Sequence, residues 1–131
     1  MATPALVIQR VQALSPVLGE AALALHFHNT RGVGLACAYA GLSQGVTHYE
    51  SSIGGLGGCP FVPRATGNIA TEDLVYLMEE SGVSTGTSLD RLIEAAKLAE
   101  RIVGRELPGQ VMKAGPRLAT APMDSVRTAN G

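Results

Sequence analysis

The chain has 131 residues, which suit one domain and are too few for two. Ten lysine and arginine residues balance eleven aspartate and glutamate residues, and a net charge of −1 argues against nucleic acid or an anionic membrane surface as a partner. No apolar run approaches the roughly 20 residues of a membrane span, so we expect a soluble, cytoplasmic protein.

Charged side chains are distributed unevenly along the chain. Residues 1–70 carry five of them, whereas residues 71–106 carry twelve. A domain that folds alone must cover its core with polar surface, so the charge-poor first half indicates segments that further protein normally covers. We therefore expect a piece of a larger fold.

Helices and strands are predicted to alternate over the first half. Apolar residues at helical spacing predict helices from Thr3 to Gly19 and from Gly32 to Gly45. Ala21–His28 has the short, uninterrupted apolar pattern of a strand buried on both faces, and Val46–Ile53 is rich in β-forming residues. This order is typical of βα units with a parallel sheet.

The second half is predicted to be a glycine loop followed by two charged helices. Four glycines exclude a regular element from Gly54–Pro60. Thr71 is expected to cap a helix that ends near Gly82, and a second helix is predicted over Ser88–Gly104. The core-facing residues of the second helix are expected to be Leu89, Leu92, Ile93, Ala96, Ala99 and Val103.

The fold class predicted from these elements is α/β. A complete (β/α)₈ barrel needs about 250 residues, so the chain corresponds to the last two βα units of a TIM barrel plus C-terminal helices. We assign residues 1–114 to this partial barrel. Residues 115–131, which lack periodicity, are predicted to be a disordered tail.

His26 and His28 are the first candidates for chemistry. Their spacing places both imidazoles on one face of a strand, about 7 Å apart at the Cα atoms, where both could reach one metal ion. The alternative is a pair of hydrogen-bonded polar side chains at a strand end with no further role. The pair alone does not decide between them.

Two cysteines lie 22 positions apart and indicate neither a disulfide framework nor a zinc ribbon. Cys37 falls in the middle of a predicted helix, where we expect it to be packed. Cys59 lies in the glycine loop, which allows close backbone approach to a ligand and a loop that opens and closes, although glycine clusters often only make a turn. The loop lacks the Lys-Ser/Thr of a phosphate-binding loop, which argues against nucleotide binding.

Three segments form a more specific combination: His26–Thr30, Gly54–Pro60 and Gly67–Val75. Together they resemble the 3-hydroxy-3-methylglutaryl-coenzyme A lyase family, whose members are TIM-barrel, metal-dependent carbon–carbon lyases. The resemblance extends from about Thr3 to Pro116. Isopropylmalate and homocitrate synthases and acyl-pyruvate aldolases share the H-x-H strand and lack the rest of the combination.

The resemblance implies a ligand set and a reaction. His26 and His28 match the family's two imidazole ligands and Asn68 its amide ligand for a divalent cation, Mg²⁺ or Mn²⁺. The small-molecule partner it implies is an acyl-CoA, 3-hydroxy-3-methylglutaryl-CoA, which is cleaved into acetoacetate and acetyl-CoA.

The resemblance also implies catalytic residues. Cys59 matches the thiol of the family's active-site loop, which would pass a proton to the acetyl-CoA enolate. Glu72 and Asp73 match acidic residues of its catalytic region.

The chain also departs from the family. The first barrel strand, whose Asp-Arg-Glu-type motif supplies an acidic ligand and an arginine, has no counterpart, and Asn29 stands where many members have aspartate. The isolated chain is therefore expected to be inactive, with a homo-oligomer or a chain that supplies the missing barrel half as its partner. The alternatives are a non-catalytic fragment or interaction module with remnant motifs, or a related acyl-CoA aldolase or lyase.

Overall fold

The computed structural model describes residues 2–58 and 67–117. It is an α/β arrangement, as predicted. Its elements are α1 (Pro4–Leu14), β1 (Ala24–His26), α2 (Gly34–Ser43), β2 (His48–Glu50), α3 (Thr71–Glu80), α4 (Leu89–Val103) and α5 (Val111–Ala114), with 3₁₀ turns at Ser15–Val17 and Ile53–Gly55. In the described residues, no helix is long and apolar enough to cross a membrane.

β1 and β2 form a parallel pair in which Leu25 lies opposite Tyr49 and His26 opposite Glu50. Each strand has three residues, whereas eight were predicted. Composition identifies the apolar segment, but a strand also needs a hydrogen-bonded neighbour, and the two segments pair only over these three positions.

The prediction that the first strand is buried on both faces is wrong in this chain. Phe27 is buried and Leu25 is half-buried, because both face the core formed with α1, α2 and α3. Ala24 and His26, on the opposite face, are exposed. Side chains alternate between the two faces as predicted, but no described residues cover the face that carries Ala24 and His26.

The fully buried residues of α2 are all small. Cys37, Ala38 and Ala40 are buried, whereas Tyr39 is 51% exposed. Gly41 lets the helix approach the sheet so closely that a Cβ there would collide with Leu25. The helix therefore packs closest through its small side chains, and Leu35 and Leu42 are only partly buried against the same core.

The start of α3 differs from the prediction. Ala70 occupies the N-cap position, and Thr71 is the first helical residue, with its hydroxyl 2.9 Å from that of Ser51. The reason is that Ala70 pairs with Ser52, which keeps Ala70 extended. The predicted cap is therefore wrong by one residue.

α4 begins and ends as predicted, since Ser88 accepts a hydrogen bond from the backbone of Arg91 and Gly104 is left-handed. The prediction that Val103 faces the core is wrong, because the chain turns back after Gly104 and Leu107 fills the space beside Ala96.

Most of the predicted tail, residues 118–131, lies outside the described residues.

Candidate active site

The site forms at the carboxyl ends of the two strands. The segment Gly67–Thr71 enters here and pairs with both strand ends, antiparallel at His28–Asn68 and parallel at Ser52–Ala70. The backbone N–H of Asn29 donates to the carbonyl of Gly67 at 3.1 Å, which closes the first pairing. Asn68 is thereby placed beside His28, although 40 residues separate them in the sequence.

The two predicted histidines lie together. The ring centroids of His26 and His28 are 5.2 Å apart, and the rings meet edge to face. The side chain of His26 is 45% exposed, so its ring is open to solvent on the uncovered face of the sheet. Two neighbouring imidazoles can offer nitrogen lone pairs to one cation.

Asn68 has an amide oxygen that suits a ligand. Its Nδ2 donates to the carbonyl of Leu56 at 3.1 Å, while its Oδ1 is buried and has no partner among the described residues. A buried acceptor without a partner is costly, and a cation would satisfy it. Two imidazoles and one amide oxygen therefore fit a divalent transition-metal ion such as Mn²⁺.

No group of three or more His, Cys, Asp or Glu side chains able to hold a metal occurs in the described residues. A site built from this part of the chain thus needs the amide of Asn68 as its third donor.

A carboxylate that the sequence did not single out also reaches this site. Oε2 of Glu50 lies 3.3 Å from Nδ1 of His26, because the parallel register places the two residues opposite each other. The pairing of the two strands would have identified it. Glu50 adds negative charge beside an otherwise neutral set of donors.

The position of Asn29, where the resemblance leads us to expect aspartate, has a local role. Its Oδ1 accepts a hydrogen bond from the backbone N–H of Gly34 at 3.0 Å, at the start of α2. Uncharged Asn29 therefore holds the loop that follows His28, between β1 and α2.

Glu72 and Asp73 are buried in the first turn of α3, at 0% and 6% exposure. Oε2 of Glu72 accepts the N–H of Gly54 at 3.0 Å, and both oxygens of Asp73 accept backbone N–H groups after Pro108. Burial raises the pKa of Glu72, and the negative charge of Asp73 acts in the same direction, whereas hydrogen bonds from the backbone oppose the shift. Each carboxylate thus holds main-chain groups.

Of the two cysteines, Cys37 lies in the part of the chain that the structure describes. Cys37 is 1% exposed on the buried side of α2, as predicted, and burial raises its pKa. Cys59 lies outside the described residues, so its predicted role at the loop tip stays a prediction.

The family model and the relatives that match this chain point to the same family of acyl-CoA lyases. The HMGL-like family model matches residues 1–99. The (R)-citramalyl-CoA lyase of Chloroflexus aurantiacus is 44% identical over 88% of this chain and 37% of its own length. The hydroxymethylglutaryl-CoA lyase of Bacillus subtilis is 43% identical over 83% of this chain and 36% of its own length.

A solved structure extends the comparison to the fold. An HMG-CoA lyase from Acinetobacter baumannii, in complex with coenzyme A and 3-methylmalate, is 44% identical, with a TM-score of 0.85 over 94% of this chain and 40% of that chain. The chain spans a little over a third of the length of the curated relatives it matches. From the family model and these relatives, the chain belongs to the HMGL-like family.

Proposed function

We propose that the chain contributes the metal-binding part of a carbon–carbon lyase that cleaves 3-hydroxy-3-methylglutaryl-CoA into acetoacetate and acetyl-CoA. The observation that carries this proposal is the backbone pairing of His28 with Asn68 at the carboxyl ends of two parallel strands, because it brings an amide whose buried Oδ1 has no partner among the described residues next to the adjacent rings of His26 and His28. Active sites of (β/α)₈ barrels lie at that end of the strands. The likeness to a solved lyase over 94% of this chain and 40% of that chain supports a partial barrel.

The chain's residues would have distinct tasks in this reaction. His26, His28 and Asn68 would hold a divalent cation, and Glu50 would steady the ring of His26. The bound cation would polarise the oxygen atoms of the substrate next to the bond that breaks. Cys59 would deliver a proton to the acetyl-CoA enolate, as the resemblance implies.

The substrate could also be a different acyl-CoA. The relative from Chloroflexus aurantiacus is named for (R)-citramalyl-CoA, so this compound is the second candidate substrate. A non-catalytic module with remnant motifs is less well supported, because a remnant has no reason to keep a buried amide oxygen without a partner beside two histidines.

Metal binding tests the ligand assignment directly. Calorimetric titration of the full chain with Mn²⁺ should give measurable binding, and His28→Ala or Asn68→Ala should weaken it by roughly tenfold or more. His48→Ala is the matched control, since His48 is exposed in the same sheet and contacts Thr47 instead. Equal affinity of the wild type and His28→Ala would refute the assignment.

Activity tests the reaction. We expect no detectable cleavage by the isolated chain, because one missing charge-stabilising donor can cost about 10²- to 10³-fold in rate. Mixing the chain with the first six βα units of a related barrel should start acetoacetate release. Loss of 3-hydroxy-3-methylglutaryl-CoA and of (R)-citramalyl-CoA, measured in parallel, decides between the substrates. A folded, metal-binding mixture that consumes neither would contradict the proposal.

A further inference from the structure

The segment Leu107–Val111 makes contacts that the proposed reaction does not explain. It follows α4, and it lies beyond residues 1–99, which the family model matches. Yet Leu107 is 1% exposed and is packed in one buried cluster with Ala96 and Met112, and Ile53 lies against this cluster. A segment that is mostly irregular is thus built into the interior next to Ile53.

The side chain of Asp73 fixes this segment by accepting hydrogen bonds from the segment's backbone. Oδ1 accepts the N–H of Val111 at 2.7 Å and that of Gln110 at 3.0 Å, and Oδ2 also lies 3.0 Å from the N–H of Gln110. The carboxylate therefore fixes two successive N–H groups 37 and 38 residues away in the chain. Hydrogen bonds from backbone N–H groups to a buried carboxylate are among the stronger ones in proteins.

Glu72 and the segment both bind Gly54, which is the first residue of the glycine loop and is called its base below. Oε2 of Glu72 accepts the N–H of Gly54 at 3.0 Å, and the carbonyl of Gly54 accepts the N–H of Gly109 at 3.1 Å. Gly54 is thus held from both sides. A Cβ at Gly109 would collide with Oε1 of Glu72, so the segment and the carboxylate are in close contact.

The same loop base orients the candidate metal ligand. Leu56 follows Gly54 by two residues, and its carbonyl accepts the Nδ2 group of Asn68 at 3.1 Å. This bond leaves Oδ1 of Asn68 as the free end of the amide. A displacement of the loop base would therefore turn the amide and remove its oxygen from the site.

We propose that Leu107–Val111 is a positioning segment for the candidate metal site, with Asp73 and Glu72 as positioning residues. Asp73 fixes the segment, and Glu72 fixes Gly54, two residues before the Leu56 carbonyl that holds Asn68. In this view the two carboxylates act through the backbone, and neither transfers a proton to the substrate. The inference rests on the proposed function only where metal affinity is the readout.

Two substitutions at Asp73 separate the positioning role from proton transfer. Asp73→Asn keeps an Oδ1 that can accept both N–H groups, whereas Asp73→Ala removes the acceptor. We expect Asp73→Ala to weaken Mn²⁺ binding by about 10- to 100-fold, as for other groups that orient a ligand, and Asp73→Asn to restore most of it. An equal loss of Mn²⁺ affinity in both variants would overturn the proposal, because it would mean that an ionisable side chain is needed at this position and a hydrogen-bond acceptor is not enough.

A metal-free readout keeps the segment testable by itself. In the full chain, NMR should show the side-chain amide signal of Asn68 shifted in Asp73→Ala, with faster hydrogen exchange at the N–H of Gly54. Lys113→Ala, which removes only the exposed ion pair between Lys113, after the segment, and Glu106, before it, should change neither. Unchanged signals in Asp73→Ala would refute the positioning role.

The outcomes separate the two proposals. If the wild type binds no Mn²⁺, the proposed function fails, and the NMR comparison still decides whether the segment orients Asn68. If Asp73→Ala does not fold, Gly109→Ala provides the second variant, because its added Cβ presses on Glu72 and leaves Asp73 and the ligands intact. An unmoved Asn68 signal in Gly109→Ala would then refute the proposal.

Discussion

Gly54→Ala should destabilise the protein through two separable effects. Gly54 has a φ of +62°, and a left-handed residue with a Cβ costs roughly 1–2 kcal/mol. The added Cβ would also lie 2.5 Å from Cδ1 of Leu107, whose side chain is buried, and overpacking of this kind costs roughly 1–3 kcal/mol. We therefore expect the free energy of unfolding to fall by about 2–5 kcal/mol.

Urea unfolding monitored by circular dichroism measures this change, and Gly86→Ala provides a matched control. Gly86 has a φ of +68°, but no heavy atom lies within 4 Å of a Cβ built there, so only the backbone effect remains. The difference between the two variants isolates the contact with Leu107. Equal losses would show that Leu107 does not press on the glycine turn, and would refute the packing argument.

Two further predictions concern titratable groups. Cys37 should react with iodoacetamide far more slowly than Cys59, because burial shields Cys37 and raises its pKa; peptide mapping that finds Cys37 modified first would contradict this. Burial raises the pKa of Glu72, so at pH values between its ordinary pKa and the raised one the folded chain holds a proton that the unfolded chain has lost. The contribution of Glu72 to the free energy of unfolding should therefore fall as the pH rises through this range. Urea unfolding of the wild type and Glu72→Gln across that range should give a difference that changes in this direction, and a pH-independent difference would contradict it.

Local periodicity predicted most of the elements and one part of the site. Each predicted helix and strand has a counterpart among the elements, because apolar spacing depends only on neighbours in the sequence. The shared face of His26 and His28 follows in the same way from their spacing in an extended chain.

The features of the fold and of the candidate site that local periodicity does not predict depend on contacts between segments distant in the sequence. Glu50 reaches His26 only because of the parallel register, and α2 packs through Cys37 and Ala38 because close approach to the sheet excludes larger residues. α5 begins at Val111, whose N–H group is held by Asp73 together with that of Gln110, and no local pattern encodes this contact. Only the resemblance points to Asn68, since nothing in the sequence around it places it beside a histidine.

The charge of the site bears on which cation it can hold. Two imidazoles and an amide are neutral, and a hard ion such as Mg²⁺ favours carboxylate oxygens, whereas Mn²⁺ accepts imidazole more readily. Glu50 contributes a carboxylate, but its contact is with the Nδ1 atom of His26 and its side chain is 71% exposed, so water weakens its attraction for a cation. Selectivity for Mg²⁺ would therefore require a further carboxylate on the uncovered face of the sheet, where Ala24 and His26 are exposed.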